Sequence, residues 1–288
     1  MPPRRTAAGQ LIRGLSRSGK GLCGLIIVTT ALATAILAAR LAPHDPLTQD
    51  ISQRLMPPFW LSGSMENLLG TDLLGRDILS RIIFGSRISL FVGASSVLVA
   101  GTVGVLLGLV AGYYRGRLDA IIMRVVDTQL AIPFLVLAVA VVAVLGASLR
   151  NIIVVLGVTG WVSYGRIVRG EVLSIREKEY VDAARLVGCR DHRIMFLHIL
   201  PNVSASIIVV ATLQVAQMII AEASLSFLGL GVRPPTPTWG GMVADGRNYL
   251  ADAWWVSAFP GVAILLTVLG INLLSDWLRD YLDPTLKN

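Results

Sequence analysis

The sequence predicts an all-α polytopic membrane protein with six transmembrane helices, and three observations carry that prediction. The 288 residues are 54% hydrophobic and 15% charged, against about 25% charge in soluble domains. Mean hydropathy is +0.69. The charges are also not scattered, because they bound five long uncharged runs and a shorter sixth. An aqueous fold cannot hide that much apolar surface, so lipid is the solvent and the backbone must satisfy its own hydrogen bonds in helices.

Each run justifies one span. The first covers 21–39, after a cytoplasmic tail over 1–20 that holds Arg4, Arg5, Arg13, Arg17 and Lys20. Between Arg87 and Arg115 lie 27 uncharged residues, giving the second span at 88–114. Another 22 separate Asp127 from Arg150 and place the third at 125–147, with a kink expected at Pro133. Only 15 separate Arg150 from Arg166, fewer than the roughly 20 that a crossing needs. The fourth span is therefore drawn at 149–168, with Arg166 and Arg169 snorkelling or lining a protein-buried surface. The fifth, 203–222, begins after Pro201, and the sixth, 253–276, leaves a tail over 280–288.

Arginine and lysine give the orientation. With the N-terminus inside, 17 of the 25 basic residues fall on the cytoplasmic side, so both termini are expected in the cytoplasm. The Arg-rich start, apolar run and Ala38-Ala39 also fit a secretory signal peptide, but the leader is long and five spans follow it. The net charge of +7 does not point to nucleic acid, since aromatic-plus-basic patches are missing. Cys23 and Cys189 make neither a zinc cluster nor a disulfide framework.

The segments between spans differ in kind. The extracytoplasmic stretch 40–87 starts Pro-containing and ends with apolar Ile78, Leu79, Ile82 and Ile83 at helical spacing, Asp77 pairing with Arg81. This predicts a short amphipathic helix leading into the second span. The outer loop 223–252 is broken by Gly and Pro, yet carries Leu225, Phe227, Leu228 and Trp239, so it should fold back into the protein. In the second span, Gly104, Gly108 and Gly112 share one helix face. Small residues at that spacing admit a close neighbour, either within the chain or across a subunit interface.

The cytoplasmic loop 169–202 is the most informative segment. Val181, Ala184, Leu186 and Val187 outline a short helix, which Gly188 ends in the left-handed region. A second helix follows from Asp191 as N-cap, and Pro201 breaks it where the fifth span starts. A helix–Gly–helix elbow flanked by Arg185, Arg190 and Arg193 suits docking by another protein. The alternative is a merely solvated basic loop.

These residues carry a family resemblance. Asp182-Ala183-Ala184, three residues, Gly188 and later Leu200-Pro201 resemble the "EAA" loop of bacterial ABC importer permeases, with Asp for Glu at 182 and His198 where the pattern has Ile. The stretches 69–81 and 222–231, with Pro234-Pro235, Trp239-Gly240 and Asp283-Pro284, are similar to the dipeptide/oligopeptide/nickel branch and its "C" permease. The resemblance implies a type I ABC importer permease fold over 88–279 and a location in the bacterial inner membrane. It also implies a heterodimer with a second permease, two cytoplasmic ATPase subunits and a solute-binding protein outside. ATP and Mg²⁺ would then sit on the partners, and Glu179, Asp182, Ala183, Ala184, Arg185, Gly188, Leu200 and Pro201 would form the coupling loop.

Other features weigh less. Gly14 to Lys20 imitates a phosphate-binding loop, but Gly21 stands where Ser or Thr must hold Mg²⁺. His44, His192 and His198 fall on two sides of the membrane and make no metal site. Asp127 is expected to pair with Arg124 at i,i+3. Gln214, Gln217 and Glu222 are the candidates for a polar path, with interhelical hydrogen bonding the blander role. An ion-coupled secondary transporter would need ionisable groups deep in the spans, and spans two and six offer none away from their ends. An intramembrane protease would need paired catalytic groups at depth, and the sequence offers no such pair.

Overall fold

The computed structural model describes residues 14–15 and 18–282; Arg4, Arg5, Arg13 and Arg17 of the basic tail and Asp283-Pro284 lie outside them. Within them the chain is built from helices: α1 Gly19–Ile36, α2 Ala38–Leu41, α3 Phe59–Ser62, α4 Ile78–Tyr114, α5 Gly116–Leu130, α6 Phe134–Leu145, α7 Leu149–Ile175 and α8 Glu179–Leu186. A continuous helix α9 over Asp191–Phe227 follows, then α10 Trp239–Gly246 and α11 Trp255–Leu282. Five of these are individually long and apolar enough to cross a membrane, and α5 with α6 makes a sixth if the bent pair counts as one span.

The third span departs furthest from expectation. It is not a kinked rod over 125–147 but two helices bent by 91°. Pro133 has no N–H to give and its ring excludes the carbonyl four residues back, while Ile132 before it is driven out of helical geometry. The helix therefore stops at Leu130 and restarts at Phe134. Before the break, α5 carries Arg117, Asp119, Arg124 and Asp127 among apolar residues and is amphipathic. Asp127 pairs not with Arg124 but with Arg166 of α7, at 2.6 Å. Arg169 makes a two-pronged bond to Asp119, both arms 2.7 Å. These neutralised charges explain why α7 runs on to Ile175, seven residues past the predicted end.

Two further boundaries differ. No separate amphipathic helix precedes the second span, because α4 runs unbroken for 37 residues. Asp77 caps it, accepting from the Ser80 N–H at 2.7 Å, and Arg81 turns instead to Asp72. Likewise Pro201 does not break the chain before the fifth span. Residues Ile194–Ile199 take a π-helical turn, and Pro201 sits in the first turn of the α-helix that continues from it. The wider i→i+5 spacing absorbs the missing donor without ending the helix. Arg190, rather than Asp191, is the N-cap, and Asp191 is the first helical residue.

The glycine stripe faces inward, on α7. A Cβ at Gly108 would lie 2.8 Å from the Gly165 carbonyl oxygen, and one at Gly112 2.7 Å from Val172 Cβ. Gly104 lies against Trp161, Tyr164 and Gly165. The stripe is consumed within the chain and offers no face to a second subunit. Around it lie two apolar clusters, one with Val92, Ala100, Leu156 and Tyr164, the other with Leu109, Tyr113, Val168 and Val172 toward the elbow.

Replacing Gly108 with Val should cost about 1–3 kcal/mol through overpacking. Gly170→Ala, where an added Cβ meets nothing within 4 Å, should stabilise slightly. Thermal melting of the purified protein would read both.

Candidate functional site

The elbow forms as its residues dictate. In α8, Val181 and Ala184 are buried with Ile194, Met195, Ile199 and Val203. The helix then ends in a Schellman motif: the Cys189 N–H donates to the Ala184 carbonyl at 3.0 Å and the Gly188 N–H to that of Arg185 at 2.9 Å. The motif needs a left-handed residue, and Gly188 has φ of +80°. Asp182 binds Arg185 at 2.9 Å. Glu179, Ala183 and Pro201 are exposed and Leu200 half-buried. Ala184 belongs to the elbow's own core.

Beside its exposed charges, such as Glu179, Arg190 and Arg193, the elbow offers apolar side chains outward. Leu186 is 88% exposed and Val187 79%, with Phe196 and Leu197 also open. The sequence reading took Leu186 and Val187 as ordinary helix residues. Only the turn at Gly188 carries them off the packed face, a matter of geometry that composition does not reveal.

Tyr113, at the end of α4, ties the elbow to the bundle. Its hydroxyl donates to Asp191 Oδ1 at 2.7 Å. Its ring lies under the Arg185 and Arg176 guanidiniums at 5.5 and 5.8 Å, and Arg176 also donates to the Tyr113 carbonyl. Sequence reasoning missed this residue, since only the fold brings 113, 176, 185 and 191 together.

The candidate path residues separate. Gln214 and Gln217 line one cavity of about 390 Å³, with Phe134, Thr159, Ser163 and Ser224 also on its wall. Gln217 is exposed, and Gln214 makes a long 3.5 Å bond to the Gly160 carbonyl. The break at Pro133 opens one wall of this cavity. Glu222 is not on it: 1% exposed, it accepts from Ser226 Oγ at 2.7 Å and anchors the outer loop. That loop folds back as expected, with Leu225 and Trp239 buried, although Phe227 and Leu228 remain exposed. Trp239 donates from its indole to the Ile82 carbonyl at 3.0 Å.

At the end of the bundle opposite the elbow, residues 69–81 build a buried polar knot. Asp72 Oδ1 accepts from the Leu74 and Arg76 N–H groups at 2.8 and 3.0 Å. Its Oδ2 takes Arg76 Nε at 2.7 Å and also Arg81. All three side chains are at least nine-tenths buried. Residues 55–56 are stitched to the same knot, through the Leu55 N–H to the Asp72 carbonyl and the Met56 N–H to Thr71 Oγ1.

A bent third span, a close α4–α7 pair and an exposed elbow form a distinctive set. Residues 104–288 match the family described as binding-protein-dependent transport system inner membrane component. The chain belongs to this family. It is 48% identical over 268 residues to the di/tripeptide transport system permease protein DppC of Pseudomonas aeruginosa (strain UCBPP-PA14), covering 93% of this chain and 88% of that protein. It is 42% identical over 284 residues to the glutathione transport system permease protein GsiD of Pectobacterium atrosepticum, covering 99% and 93%. Among solved structures, inward-facing MetNI methionine ABC transporter matches with a TM-score of 0.61 at 19% identity, over 72% of this chain and 98% of that one. The fold is that of a type I importer permease, and the family is one of transport permeases rather than catalytic enzymes.

Asp72→Ala would leave two buried guanidiniums with only the longer contacts to Asp245, at 3.8 and 3.5 Å, and removing one member of a buried pair costs about 3–5 kcal/mol. The expected result is loss of folded chain from membranes, read by immunoblot and by melting of what remains.

Proposed function

We propose that this chain is one of two permease subunits of an ATP-driven peptide importer, with both termini cytoplasmic. The relatives named for di/tripeptide transport support the cargo class, and the distribution of Arg and Lys supports the orientation. ATP and Mg²⁺ are bound and used by two cytoplasmic ATPase subunits, and cargo arrives on a solute-binding protein that docks against 40–87 and 223–252. The carrying observation is the elbow. Its exposed Leu186 and Val187 suit a groove on an ATPase, and its buried side is fused to α4 and α7 through Tyr113, Val172 and Ile175. Movement of the ATPase pair is passed by that packing to the bundle, whose two states expose the Gln214–Gln217 cavity to alternate sides. The protein does no bond chemistry; differential affinity of ATP and loaded binding protein for the two states drives the change. Glutathione is a second reading of the cargo, supported by the likeness to a glutathione permease.

A Leu186→Asp/Val187→Asp double variant should insert normally but lose ATPase co-purification and peptide uptake, because both side chains lie outside the elbow's core. Normal association and uptake in that variant would sink the docking assignment. Cells lacking the chain should lose uptake of a labelled dipeptide and regain it on complementation, with competition by glutathione ranking the two cargoes.

A further inference from the structure

Beyond the buried knot, and on the side away from the elbow, lies a cavity of about 430 Å³ that the coupling mechanism does not use. Arg76, Arg81, Arg233, Arg247, Asp245 and Ser226 are on its wall. Four guanidiniums thus face one lining carboxylate, with Asp72 behind it, so two positive charges stand unbalanced. Arg76 and Arg81 are 5% and 4% exposed, fixed by Asp72 at one edge. Toward Asp245 they reach only 3.8 and 3.5 Å. Burial pushes the Asp245 carboxyl up from its ordinary value, against the pull of Arg81 and Arg76.

Arg81 Nε has no partner at all. A buried, unsatisfied N–H of a charged fork is costly, and a native structure that retains one has a reason for it. Arg233 is exposed and without an ion pair among the described residues. Arg247 spends one arm on the Phe227 carbonyl at 3.0 Å and its guanidinium lies 5.6 Å over the Phe227 ring. Guanidinium forks match the two oxygens of a carboxylate. Phe227 lines this cavity and Ser224 the polar one, three residues apart on α9.

We propose that this arginine-lined cavity receives the free carboxylate of the transported peptide at the outer mouth of the path. The inference rests on the peptide reading above. Arg81 and Arg76 supply a pre-set, desolvated charge, and Arg233 and Arg247 close on the ligand from the solvent side.

The test uses the complete importer, purified through this chain into lipid nanodiscs without binding protein. Equilibrium binding is measured for labelled tri-alanine and for its C-terminal amide. The acid should bind at least about tenfold more tightly than the amide, the scale of a charge-assisted hydrogen bond. An Arg233→Gln/Arg247→Gln variant, altered only at exposed positions, should lose that preference while binding the amide as before. Equal binding of acid and amide, no binding of either, or an unchanged preference in the variant overturns the site. If free tri-alanine does not bind but the variant weakens capture of the binding protein, the carboxylate belongs to that protein and the cargo assignment is overturned. Chain-dependent uptake of tri-alanine by cells is scored separately. Its absence beside carboxylate-selective binding would defeat the transport reading and leave the site standing.

Discussion

The close approach of α4 and α7 is the contact from which the rest of the structure hangs. In lipid, apolar side chains gain little by meeting each other, so helices are held by packing and by the few polar bonds they can exchange. Gly104, Gly108 and Gly112 let the α7 backbone come against α4. Once that pair is set, α7 carries Arg166 and Arg169 to the acids of α5, and α4 carries Arg81 to one end and Tyr113 to the other. A helix of 37 residues is about 55 Å long at 1.5 Å per residue. The buried polar knot and the elbow are therefore two ends of one rod.

The two ends use charge differently. At the knot, Asp72 is shared by two guanidiniums in a nearly dry setting, and backbone N–H groups fill its remaining capacity. Taking ions out of water is repaid there only because the bonds are short and complete on the carboxylate. At the elbow, Tyr113 lies between arginines and an aspartate that remain partly open to solvent. That junction is weaker and better suited to adjustment, while the knot fixes geometry.

Much of the fold was legible from where charges stop. Span one, expected at 21–39, is the helix Gly19–Ile36, and the second ends at Tyr114 as drawn but starts ten residues early, at Ile78, since a charge marks a membrane edge only where nothing pairs with it. The third and fourth were misjudged because the charges there are paired across helices: Asp119 with Arg169, Asp127 with Arg166. Pairing removes the penalty that makes a charge a boundary, and no single-chain pattern reveals the partner. Pro133 and Pro201 read alike in sequence yet act differently, one ending a helix and the other absorbed by a π-turn. The elbow at Gly188 was readable because a left-handed cap has a residue signature. Leu186, Val187 and Tyr113 were not, because their importance comes from which way the turn aims them.

The helix that follows the Pro133 break has a consequence for the membrane itself. With 12 residues, Phe134–Leu145, α6 reaches about 18 Å, well short of the ~30 Å hydrocarbon layer. Val136, Val144 and Leu145 on it are exposed, so its outer side meets lipid or a neighbouring subunit. Where it meets lipid, the bilayer must thin to cover it, at a fraction of a kcal/mol per ångström of mismatch. Bilayer thickness thereby becomes a mechanical load on the wall of the polar cavity, and lipid composition a setting of how readily that wall moves.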